Sequence, residues 1–96
     1  MAEFPFQIEF VEPKAGYVIC RELKRNRFRL APGARLGDAE IKPHVAQPRA
    51  LDAQGQPRVD LYVFSFANRA DAKRFKAGDT VVLHADEEPR VLIPSP

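Results

Sequence analysis

Apolar and polar residues alternate near the start of the chain: Phe4, Phe6, Ile8 and Phe10 are separated by Pro5, Gln7 and Glu9. A period of two is that of a half-buried strand, and it predicts all four large side chains on one core-facing face. Glu12-Pro13-Lys14-Ala15-Gly16 reads as a turn. The β-prone run Tyr17-Val18-Ile19-Cys20 predicts a second strand reaching Leu23, with Lys24-Arg25-Asn26-Arg27 as a hairpin tip. Phe28 and Leu30 alternate with Arg27, Arg29 and Ala31 over a short third strand. Pro32-Gly33 and Gly37-Asp38 are turn signals, and Ala39-Glu40-Ile41 opens a fourth strand interrupted at Pro43.

Residues 43–58 are the least regular, with Pro43, Pro48, Gly55 and Pro57 among scattered apolar residues. A short strand from Val45 to Leu51 is expected there, followed by a mobile turn at Asp52-Ala53-Gln54-Gly55. Residues 59–66 leave little polar surface on either face, as in a central or barrel-closing strand. Residues 68–75 are the helical candidate, with Asn68 as N-cap, Asp71 in the first turn and Gly78 as the C-terminal stop. Thr80 to His84 predicts another strand, Asp86-Glu87-Glu88-Pro89 an acidic turn, Val91-Leu92-Ile93 a last strand and Pro94-Ser95-Pro96 a frayed tail. About seven short strands at close spacing argue for a barrel or a sandwich. The expectation adopted is an all-β barrel of six to seven strands over residues 1–96, with one short helical turn near 69–75.

Composition narrows the class. A chain of 96 residues with 45% hydrophobic and 29% charged content matches one ordinary globular domain. No apolar run approaches the ~20 residues of a membrane helix. The N-terminus lacks a basic region leading into a long apolar one, so no secretory signal is expected. Cys20 is the single cysteine, which rules out an intramolecular disulfide and points to a reducing, cytoplasmic setting.

The order of the signals resembles domain 2 of the translational GTPases, the β-barrel of elongation factor Tu and its relatives. Those domains open with a Phe-rich strand, cross a glycine turn into a Val-rich strand and reach a Gly-Asp turn. The counterparts here are the run from Phe6 to Phe10, Gly16-Tyr17-Val18-Ile19 and Gly37-Asp38. Those domains close with an apolar strand, a short helical turn and a second glycine before the final strand, similar to residues 61–66, 71–75 and Gly78-Asp79-Thr80-Val81. The resemblance covers about residues 4–84. The chain departs from it in having Lys14-Ala15-Gly16 for the family's Gly-Arg-Gly and Cys20-Arg21 for its Thr-Gly. The chain has no Gly-x-x-x-x-Gly-Lys-Ser/Thr loop, so the resemblance implies a barrel without the GTPase domain.

Catalytic chemistry has few carriers. His44 or His84 with Cys20 would make a nucleophilic pair, but Cys20 lies mid-strand in an apolar run, the place of a small buried hydrophobe. His84 beside Asp86-Glu87-Glu88 reads as the start of a solvated acidic turn, because adjacent acids lack the spacing of metal motifs. Asp38, Glu40, Asp52 and Asp60 define no acid–base pair. No catalytic residue, metal or cofactor is assigned.

The basic residues carry more. Arg21, Lys24, Arg25, Arg27 and Arg29 fall within nine residues, opposed only by Glu22. Arg69, Lys73, Arg74 and Lys76 form a second group, of which Arg69, Lys73 and Lys76 share a face at helical spacing. The expectation is a non-enzymatic binding or adaptor module that engages a protein partner through the basic hairpin, assisted by Lys73, Arg74 and Lys76. The alternative is single-stranded nucleic acid or RNA on the same surface, with arginines pairing phosphates and Phe28 offering a stacking face. Set against stacking, Phe28 alternates with arginines and is expected to point into the core. The irregular loop 43–58 is a further candidate surface.

Overall fold

A computed structural model describes residues 2–24 and 27–87. It contains β1 (Ala2–Glu12), β2 (Tyr17–Glu22), β3 (Phe28–Arg29), β4 (Arg35–Leu36), β5 (Ala39–Ala46), β6 (Leu61–Phe66), a 3-10 turn (Arg69–Arg74) and β7 (Thr80–Glu87). Six antiparallel strands close a barrel in the order β1-β2-β6-β5-β4-β7 and back to β1. The short β3 is an extra strand on β7. Residues 30–34 connect it to β4 through the Pro32-Gly33 turn, where Ala34 N–H donates to Ala31 C=O.

The interior is aromatic and aliphatic. Phe6, Ile8, Val18, Cys20, Leu36, Ile41, Phe64, Phe66 and Leu83 are fully buried. Phe6 meets Phe64, Phe28 and Tyr62 edge to face, with centroids 5.2, 5.7 and 5.9 Å apart. Phe28 thus points into the core, as its alternation with arginines predicts.

The register corrects the reading of β1. Phe6 faces Glu22 and Ile8 faces Cys20, but Phe10 faces Ile19, so Glu9 is an extra residue in the ladder. A bulge inverts the alternation beyond it. Phe10 is therefore turned outward, 46% exposed and resting on Tyr17, while Phe4, Phe6 and Ile8 remain inside. A second irregularity lies between Ile41 and Val45 of β5, so the ladder to β6 is interrupted around Pro43 as expected, while the strand itself continues to Ala46.

The basic hairpin is also corrected. β2 pairs with β1 and β6, and β3 pairs with β7, so the segment after Glu22 is a crossover and not a hairpin tip. Burial of Phe28 against Phe4 and Phe6 draws the chain across to β7. Pairing with β3 in turn carries β7 through Asp86 and Glu87, where an acidic turn was expected. Glu88, Pro89, the expected strand Val91-Leu92-Ile93 and the tail at Pro94-Ser95-Pro96 lie outside the described residues, as does Arg25.

The barrel has two dissimilar ends. One carries the β1–β2 turn, the 3-10 turn and both Gly-Asp corners. Gly37-Asp38 is the two-residue connection of the β4–β5 hairpin, with Gly37 at φ 63°. Gly78 occupies the left-handed position of a turn closed by Asp79 N–H donating to Lys76 C=O, four residues beyond the end of the 3-10 turn. It is therefore not a helix cap, and Lys76 lies outside the helical segment. The opposite end carries Leu23 and Lys24 after β2, Arg27 before β3 and the long β5–β6 connection.

The helical candidate is a 3-10 turn, too short to sustain an α-helix. Asn68 caps it, Oδ1 accepting from Ala70 N–H at 3.1 Å. Ala72 is buried, and Phe75 stacks on Phe66 at 5.2 Å. Gly16 permits the approach: a Cβ there would lie 2.7 Å from Arg69 Cα.

Candidate binding surfaces

The predicted basic residues divide among three settings. Arg21 lies on the outer wall, where Nη2 donates to Gln7 Oε1 at 2.6 Å and Nε stands 3.7 Å from Glu9. Glu9, the extra residue at the bulge, also pairs with Arg58 at 3.3 Å, and Arg58 pairs with Asp60 at 3.1 Å. Two arginines and two carboxylates thus cancel in one network. Hydrogen bonds from Arg58 hold the Asp60 carboxyl below the usual carboxylate range.

Lys24, Arg27 and Arg29 are exposed at the crossover end and make no ion pair with another described residue. Asp86 and Glu87 stand opposite Arg29 and Phe28 in the ladder, so this end bears mixed charge.

Arg74 and Lys73 are at the other end of the barrel. Arg74 Nη2 donates to both oxygens of Asp38 at 2.6 and 2.7 Å, clasping the 3-10 turn to the Gly37-Asp38 corner. That bond lowers the Asp38 pKa and raises that of Arg74. Lys73 instead lines an open cleft of about 870 Å³ with Pro13, Lys14, Ala67, Asn68, Arg69 and Ala70. The structure therefore does not bring the 21–29 group together with Lys73, Arg74 and Lys76. Lys14, which sequence reasoning assigned only to a turn, joins Arg69 and Lys73 because the 3-10 turn packs on the β1–β2 turn.

The strand expected from Val45 to Leu51 is not a separate element. β5 runs to Ala46, and residues 47–59 project as a narrow arm: Gln47 Nε2 donates to Val59 C=O, Arg58 N–H to Ala50 C=O, and Leu51 bridges Pro57. Asp52 Oδ1 accepts from Gln54 and Gln56 N–H, both at 2.9 Å, and fixes the tip. Leu51 and Val59 are 67% and 61% exposed on this arm. They flank a groove of about 560 Å³ that also includes Pro48, Arg49 and Pro57. The arm joins the crossover end through Glu22 N–H donating to Asp60 C=O at 2.9 Å.

Cys20 is a core residue. Burial pushes its thiol up to about 12, and it projects inward while His44 is exposed and His84 lies 3.9 Å from Glu3 on the outer wall. Neither histidine faces the sulfur. Among the described residues, no three His, Cys, Asp or Glu side chains gather as a metal site. No described helix is long and apolar enough to cross a membrane.

Fold and surfaces together define a closed six-stranded β-barrel with a projecting arm and two chemically distinct ends. Comparison with known proteins finds no family model, no curated protein and no solved structure that matches this chain.

Proposed function

We propose that the chain is a non-enzymatic binding module that engages a protein partner through the crossover end and the arm. The observation that carries this reading is the arm itself: two large apolar side chains, Leu51 and Val59, stand in water on a segment whose tip is held by Asp52. Arg49 is exposed on the arm, and Lys24, Arg27 and Arg29 are exposed at the same end of the barrel, where Asp86 and Glu87 pair with β3. An apolar arm and a mixed-charge end on one side of the barrel suit a protein surface with acidic and apolar groups. It suits a nucleic-acid strand at this end less well, since the strand would meet carboxylates and find the Phe28 ring turned away. In this reading the module works in the cytoplasm, and its relationship is to domain 2 of the translational GTPases, as the order of its glycine turns suggests.

The test is partner capture with the full chain, followed by binding measurements with the purified partner. Leu51→Asp combined with Val59→Asp is expected to weaken binding of one stoichiometric, nuclease-resistant partner by at least about tenfold while leaving the barrel's circular dichroism unchanged. Undiminished binding by this variant refutes the arm as the contact surface.

A further inference from the structure

The cleft at the opposite end has a different chemistry. Arg69, Lys73 and Lys14 line it, and no acidic residue does. None of the three makes an ion pair or a side-chain hydrogen bond among the described residues, whereas Arg21, Arg58 and Arg74 all do. The nearest carboxylates in sequence are otherwise engaged. Glu12 Oε1 accepts from the Lys14 backbone N–H at 3.1 Å, and Asp71 stands 3.7 Å from Arg74. The lysine and the arginine are held side by side by packing: the missing Cβ of Gly16 lets the Arg69 backbone and stem lie against the turn that carries Lys14.

From this arrangement we infer that the cleft binds a linear chain of phosphates. Three unpaired cations attract successive anionic groups, and the guanidinium fork suits phosphate oxygens. An open groove admits an extended chain, whereas a compact ligand needs enclosing walls. No aromatic side chain lines the cleft, so recognition is of the phosphates and independent of base sequence. A single-stranded nucleic acid and inorganic polyphosphate share this chemistry. The site is separate from the proposed partner surface, and neither proposal depends on the other.

The experiment is a titration of the full chain with a fluorescent single-stranded RNA, with inorganic polyphosphate and with orthophosphate, at several salt concentrations. Three phosphate contacts give a slope of −2 in log K against log salt, or an affinity loss of about 20-fold between roughly 50 and 200 mM salt. Lys14→Ala, Arg69→Ala and Lys73→Ala together are expected to abolish that binding, while Lys24→Ala with Arg27→Ala leaves it intact. All three side chains in the cleft are solvent-exposed, and an amide correlation spectrum checks that the barrel persists. In the unmodified protein the shifted amides should be those of residues 14 and 67–73. Binding of RNA alone identifies nucleic acid as the source; binding of both chains supports any phosphate chain, and binding of polyphosphate alone excludes nucleic acid as the source. The proposal falls if neither chain binds at low salt, if orthophosphate binds as tightly as the chains, or if the triple variant retains affinity.

Discussion

Single residues decide how closely parts of this barrel approach one another. Gly16 has φ +80°, and a Cβ there would meet Arg69 Cα, Cβ and Cγ at 2.7–2.8 Å. Two of those atoms are side-chain stem and one is backbone, so the 3-10 turn itself would have to move. Gly16→Ala is expected to cost about 1–3 kcal/mol from the backbone conformation alone, with the displacement adding to it. Urea unfolding measures the loss, and a cost below that range means the turn is not seated on Gly16. The spacing of turn residues announced a glycine turn here. That it doubles as a landing site for residue 69 was invisible, because the contact joins positions 53 apart.

At the level of elements, β1 shows how one inserted residue redirects a strand. Period two placed Phe10 with Phe4, Phe6 and Ile8, yet the Glu9 bulge turns it to solvent. Phe6→Ala is expected to cost about 3–5 kcal/mol and Phe10→Ala no more than about 1 kcal/mol, since only the former opens a cavity. Equal losses in denaturant unfolding would mean that the alternation runs unbroken. Glu9, the extra residue of that bulge, pairs with Arg21 and Arg58 on the outer wall. Sequence gave no sign of this, because nothing in Gln7-Ile8-Glu9-Phe10 distinguishes a bulge from a regular strand. The arm was partly legible: its irregular, proline-rich composition marked residues 43–58 as a loop, but not the capture of backbone amides by Asp52.

For the whole molecule, two carboxylate–arginine pairs contribute to the response to acid. Asp38 and Asp60 both have folded-state pKa values below the ordinary carboxylate value, the first through Arg74 and the second through Arg58. Each therefore takes up its proton more readily when unfolded. Their stabilisation is present above the unfolded carboxylate pKa of about 4 and is lost as pH falls through the depressed folded values. Asp38→Asn is expected to flatten the decline of melting temperature below about pH 4 relative to the unaltered chain. An unchanged acid profile would show that the clasp to Arg74 contributes nothing to folding. The Arg74–Asp38 pair is solvent-exposed and the Arg58–Asp60 pair half-buried, so the change is one of slope and not of overall fold.

The sequence by itself determined the class of the protein: short β-prone runs, glycine turns at Gly16, Gly37 and Gly78, and the apolar β6 are local signals that need no partner to be read. Local patterning also placed Phe28 inside and Cys20 in the core. Tertiary structure alone decided which runs became neighbours. Closure pairs Ala2 with Ala85 and Gln7 with Thr80, and β3 joins β7 in preference to β2. These pairings are settled by the collective burial of the aromatic core, a property of the closed barrel and not of any segment. For that reason the basic residues separated into a wall network, a mixed-charge end and an unpaired cationic cleft, although in sequence they formed two simple clusters.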